Sequence, residues 1–137
     1  MDVLNPSGWA APKGYANVIR VPAGAERVYV AGQIAWDAEQ RLVGVGDFPA
    51  QFRQALENVV TCLRTADTPP SGLVSMTVYV TDKQAYVASA KQLGAIWKEV
   101  VGRHWPTMAL VEVADLLEEG ALVEIQAVAV RPLEQGP

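Results

Sequence analysis

The chain has 137 residues, half of them hydrophobic and 19% charged, with a formal net charge of −4. That is an ordinary globular composition, long enough to bury a core of its own, and it excludes an unstructured tail or a string of domains. The acidic balance, with a sequence pI near 4.9, excludes a broad basic footprint for phosphate backbones, so nucleic acid is not an expected partner.

In chain order, Met1–Pro6 shows no basic and apolar leader. Asn5 to Tyr15 is rich in turn formers and reads as an irregular arm over the domain. Val18–Val21 is short and β-prone. Pro22-Ala23-Gly24-Ala25 reads as a hairpin connection into Arg27–Ala31, whose alternation predicts a strand. Gly32 interrupts the pattern, the mark of a bulge or a close backbone approach; Ile34-Ala35-Trp36 continues it, and Asp37–Gln40 turns. Asp47-Phe48-Pro49 is a helix start, with an acidic cap and a proline in the first turn. Phe52, Ala55, Leu56, Val59, Val60 and Leu63 then define one apolar face. Cys62 lies on or beside that face and reads as a small core residue rather than a nucleophile. As the only cysteine it has no internal disulfide partner, and with the missing leader it makes a cytoplasmic location the expectation.

Thr68-Pro69-Pro70-Ser71-Gly72 ends the helix, and Leu73–Val80 reads as a buried strand. Asp82 caps a second helix whose buried face is Tyr86, Ala90, Leu93, Trp97, Val100 and Val101, stopping at Gly102. Met108–Val113 and Leu122–Val130 are the closing strands, joined through Glu118-Glu119-Gly120. His104 is the only imidazole, so no metal site is expected, and no apolar run reaches membrane-spanning length. The order ββ-α-β-α-ββ predicts an α+β class, a single mixed β-sheet with two helices packed on one face, in one domain spanning 1–137.

Several separated segments carry a resemblance. Gly14-Tyr15, the strand end Val28-Tyr29-Val30-Ala31-Gly32-Gln33, and Gln51 with Leu56-Glu57-Asn58-Val59 stand in order before Trp105-Pro106-Thr107-Met108-Ala109-Leu110-Val111-Glu112-Val113-Ala114-Asp115-Leu116 and Leu122–Arg131. The set resembles the Rid (YjgF-like) family, formerly also called the L-PSP endoribonuclease-like family, over nearly the whole chain. There the closing segments read roughly P-x-R-x-x-V-E-V-x-x-L and E-I-x-A-x-A. The resemblance implies a chorismate-mutase-like sheet, a homotrimer with small-molecule clefts between neighbouring subunits, no cofactor, and hydrolysis of reactive imines and enamines. It further implies that the arginine of P-x-R grips the substrate carboxylate while the last-strand glutamate positions the attacking water. Carried over by position, Glu124 keeps the carboxylate, Tyr15 the aromatic hydroxyl and Gly32 the open backbone. Ala31 replaces the serine usual before that glycine, Ala90 stands where some members have asparagine, and Met108 replaces the arginine.

The exchange at 108 has a physical weight. A charge-assisted hydrogen bond contributes about 1.5–3 kcal/mol, and a thioether has no donor with which to clasp a carboxylate in the planar, bidentate manner of a guanidinium. At about 1.4 kcal/mol per decade, a 2-imino acid is expected to bind on the order of a hundredfold more weakly. Arg103, five positions upstream, is the alternative cation, with Arg20, Arg27 and Arg131 near other strand ends. Glu124 shares a strand face with Leu122, Gln126, Val128 and Val130. It reads either as an inward carboxylate whose burial raises its pKa for work on a water, or as a strand-end or intersubunit ion-pair residue. His104 has no aspartate or nucleophile at triad spacing and reads as loop packing. Trp36 and Trp97 read as core or subunit contacts, and Trp105 as a cleft residue.

Three functions follow. The first is a Rid-like binder or hydrolase of another small metabolite, in a pocket made apolar by Met108, Ala31, Trp105 and Leu110 with Glu124 as its main polar group. The second is an imine deaminase served by Arg103. The third is a non-catalytic binding module.

Overall fold

The computed structural model describes residues 1–132; positions 133–137 of the expected 1–137 domain lie outside the described residues. Two short strands, β1 (Asp2–Leu4) and β2 (Val18–Arg20), pair with each other antiparallel as a separate ribbon. Then follow β3 (Glu26–Gln33), α1 (Phe48–Thr65), β4 (Leu73–Val80), α2 (Lys83–Ala88), α3 (Ala90–Val100), β5 (Thr107–Glu112) and β6 (Val123–Arg131). The four longer strands form one mixed sheet in the order β3-β6-β4-β5, antiparallel except for the β4–β5 pair. That pair is parallel because α2 and α3 carry the chain back between its strands. The α+β class with helices on one face of a mixed sheet is borne out.

Alternation decides which sheet face is covered. Val30 on β3, Met76, Val78 and Val80 on β4, and Val123, Ile125, Ala127 and Ala129 on β6 are buried together with the α1 face and with Leu93, Ile96 and Trp97 of α3. The expected caps form: Asp47 Oδ1 accepts from the Ala50 N–H at 3.1 Å, and Asp82 Oδ1 from the Gln84 N–H at 2.9 Å. Each satisfies a donor that the first helical turn leaves without a partner.

Two residues in the quoted motif segments prove to be fasteners. Gln51 is fully buried; its Nε2 donates to the Gly44 and Gly120 carbonyls at 3.2 and 3.0 Å, and its Oε1 accepts from the Leu122 N–H at 2.8 Å. One amide thus ties α1 to the loops before it and before β6. Asn58 Nδ2 donates to the carbonyls of Ile34 and Trp36 at 3.0 and 2.8 Å. Gln51→Leu removes the partner of three backbone groups, only partly shielded from water, at about 1 kcal/mol each. We expect a loss of about 3 kcal/mol in urea unfolding with an unchanged denaturant slope; a loss below about 1 kcal/mol would mean that water replaces the amide.

Three local readings are corrected. Pro22–Ala25 is not a hairpin connection, because β2 pairs β1 while β3 pairs β6. Val28 and Val30 find small partners in Ala129 and Ala127, a match the exposed β2 does not offer. The arm from Asn5 to Tyr15 is irregular as expected, starting just after β1. The strand containing Gly32 stops at Gln33, and Trp36 makes only an isolated bridge to Leu42. The second helix is broken at Ser89, whose N–H is shared between the Ala85 and Tyr86 carbonyls, both at 3.1 Å, so α2 ends at Ala88 and α3 begins at Ala90. Among the described residues, no helix is long and apolar enough to cross a membrane.

Candidate functional site

The break at Ser89 has a local consequence: Tyr86, in the last turn of α2, and Ala90, at the start of α3, border one cavity of about 160 Å³. Gly94, one turn further along α3, lies beside Ala90, and Trp97, Leu93, Phe52 and Val78 complete the inner wall. The loop before β5 closes it. The Trp97 indole N–H donates to the His104 carbonyl at 2.9 Å. His104 Nε2 stands 2.6 Å from the Leu73 carbonyl, and since a carbonyl only accepts, that nitrogen carries the proton. His104 is thereby a loop-packing residue, and it sets Trp105 into the cavity lining beside Met108. The arm is held by the Ala16 N–H to the Pro106 carbonyl at 2.9 Å, which brings Gly14 to the rim. No side chain in this lining is charged. Tyr86 is its one titratable group, and burial pushes its phenol above the ordinary range.

The remaining expected site residues lie elsewhere. Along β6 the helix-facing set is Val123, Ile125, Ala127 and Ala129, so Glu124 faces the opposite, open side of the sheet, not inward. There it pairs across from Tyr79 of β4. It also lies so close to Gly32 that a methyl on that glycine would collide with its carboxylate. The ladder shifts between Val30 and Gln33, so Ala31 and Gly32 form the irregularity, and Gly32 is both the bulge and the close approach. Gln126, exposed, shares this face, with its Oε1 3.5 Å from the Tyr79 hydroxyl. Glu124 is half-buried and has no ion pair or side-chain hydrogen bond among the described residues. One chain therefore holds the carried-over positions in two groups: Ala90, Trp105 and Met108 on the helix side, and Ala31, Gly32 and Glu124 on the open side. Leu110 points to the helix side beside Val78 and packs on the core, outside the cavity lining. Tyr15 is 42% exposed, while its neighbour Gly14 borders the cavity.

The alternative cations are also placed. Arg103 is exposed and not part of the lining. Arg20 is paired with Asp2 at 2.9 Å and Arg131 with Glu26 at 3.4 Å, and Arg27 is exposed on the far edge strand β3. Cys62 is half-buried and packs against the core. Among the described residues, no group of three or more His, Cys, Asp or Glu is placed to hold a metal ion. Sequence reasoning passed over Tyr86 and Gly94 as site residues. Their signal was a glycine inside an amphipathic helix with no turn to require it.

A mixed sheet backed by helices, a bulged glycine under a β6 carboxylate and a small cavity beside the P-x-R position define a Rid (YjgF-like) protein. The chain belongs to the family described as Endoribonuclease L-PSP, whose profile matches residues 8–131. It is 29% identical over 119 residues to a RutC family protein of Pyrococcus horikoshii, covering 87% of this chain and 90% of the relative. It is also 29% identical over 110 residues to the human 2-iminobutanoate/2-iminopropanoate deaminase, covering 80% and 74%. The crystal structure of YyfB from Yersinia pestis, a Rid family protein of unknown function, superposes with a TM-score of 0.81 at 30% identity, covering 94% of this chain and 97% of that one.

Proposed function

We propose that this protein binds, and with Glu124 hydrolyses, a small uncharged metabolite, and that it does not deaminate 2-imino acids. The observation that carries the reading is Met108, a thioether in a cavity with no charged side chain, where the carboxylate of an imino acid would be desolvated without a partner. Apolar walls with one or two polar groups are the usual makeup of a small-molecule site. In the hydrolytic step Glu124 accepts a proton from a water whose oxygen bonds to the imine carbon. The nitrogen takes up protons and leaves as ammonia, and a carbonyl compound remains.

The chain is read as a cytoplasmic homotrimer with its clefts between subunits. The uncovered sheet face supports this, since it carries Tyr29 at 71% exposure together with Val111, an apolar content that association would remove from water. A neighbouring subunit is also the means by which the two groups of site residues would meet. Sedimentation is expected to give a species of about three times the 14.7 kDa chain. No nucleic-acid substrate is proposed, because the acidic balance opposes phosphate binding.

A second reading, a non-catalytic binding module, is favoured by the separation of Glu124 from the cavity within one chain. Wild-type behaviour of Glu124→Ala in every readout would select it. The main proposal is tested by ammonia release from 2-imino acids generated in situ by an amino-acid deaminase. The native protein is expected to add nothing to the uncatalysed rate. Turnover abolished by Arg103→Ala would install the Arg103 mechanism instead, and turnover that survives that change would overturn the proposal outright.

A further inference from the structure

We infer that the cavity beside Met108 accommodates a single uncharged aromatic ring of about phenol size, with Ala90 and Gly94 setting its size limit and Tyr86 supplying its polar contact. This rests on the uncharged-ligand reading above and narrows it to one chemical class. The first argument is volume. The half-open cleft of about 160 Å³, with Ala90 and Gly94 exposed along its rim, is close in volume to the roughly 150 Å³ of an enclosed apolar cavity that holds benzene. The second is the character of the wall. Phe52, Tyr86, Trp97 and Trp105 surround the space with Met108, and ring edges, ring faces and a polarisable sulfur all contact a flat aromatic favourably.

The third argument is Gly94. It lies inside α3, away from the helix ends, where glycine is less stable than alanine. Its φ is not in the left-handed region, and a Cβ built on it would meet nothing within 4 Å. Neither backbone nor crowding calls for glycine there; Gly94 and Ala90 are exposed at the rim, and the missing side chain keeps the mouth of the cleft open. The fourth is Tyr86. It lines the cavity as the one residue there with a hydroxyl, and burial raises its phenol with no hydrogen-bonding partner contributing.

The experiment measures tryptophan fluorescence and melting temperature of the full chain with four probes: phenol, toluene, benzoate and pentanamide, the last an open-chain neutral molecule as large as phenol. Phenol and toluene are expected to bind saturably, and benzoate and pentanamide not at the same concentration. Gly94→Leu is expected to weaken phenol tenfold or more. Gly94→Ala, which should fold at least as stably as the native chain, is expected to weaken it several-fold. Tyr86→Phe should weaken phenol up to tenfold and leave toluene unchanged.

Pentanamide binding as well as phenol would overturn the aromatic class while leaving the uncharged-ligand reading standing. Benzoate binding better than phenol would overturn both. Phenol affinity unchanged by both Gly94 variants, or no binding by either ring, would overturn the assignment of the cavity.

Discussion

Met108→Arg is expected to confer measurable ammonia release from 2-imino acids, with carboxylate affinity tightened by about 10–100-fold, from the 1.5–3 kcal/mol of a charge-assisted hydrogen bond at 1.4 kcal/mol per decade. Met108 is half-buried, near the start of the edge strand β5. A guanidinium there can keep its stem along Trp105 and reach its head to water. The substitution still places charge against Phe52, Val78 and Trp97, so a stability loss of about 1–3 kcal/mol is expected without ligand and should shrink when a 2-oxo acid is added. The same variant should lose phenol binding, because its side chain occupies the ring's space. Ammonia release measured beside 2-oxo acid affinity separates the outcomes. Tighter anion binding without turnover would show that Ala31 and Ala90, lacking the side chains usual at those positions, also withhold activity. No change in either would sink the account of position 108.

Which parts of this were legible beforehand follows from how local the determining forces are. The α1 face from Phe52 to Leu63 is a repeating pattern along one element, and the Asp47 and Asp82 caps lie within three residues of the N–H groups they serve; both could be read directly. The pairing of β2 could not. A three-residue strand has no alternation to fix its partner, and β3 is claimed from the far end of the chain because Ala127 and Ala129 leave room for Val30 and Val28. The face of Glu124 failed for a similar reason. Both β6 faces carry apolar residues, Ile125 and Ala127 on one and Val128 on the other, so parity alone did not say which the helices cover. Gly32 was legible as an interruption, but its dependence on Glu124, 92 positions along the chain, appears only when the strands pair. The cavity was least visible of all. It depends on the interruption at Ser89, where no proline or glycine announces a break, and on His104 and Trp97 fixing the loop that carries Trp105.

The geometry of Glu124 leads to the second large effect. In the Met108→Arg background, Glu124→Gln is expected to lower imine hydrolysis by about 10²–10⁴-fold, the usual contribution of a positioned general base, since an amide of the same shape does not take up the proton of water. Stability should stay as it was, and Glu124→Gln made in the native chain should leave phenol affinity unchanged, because Glu124 lies on the open sheet face while the cavity lies on the helix face. This separation also makes a mixing experiment decisive. The double variant lacks the carboxylate and the native chain lacks the guanidinium, so neither hydrolyses 2-imino acids alone. If the cleft joins position 108 of one subunit to position 124 of its neighbour, unfolding and refolding the two chains together restores activity in mixed oligomers, because a native Glu124 then faces an introduced guanidinium. A mixture as inactive as its components, with mixed assembly verified by mass, would place both positions in the service of one chain.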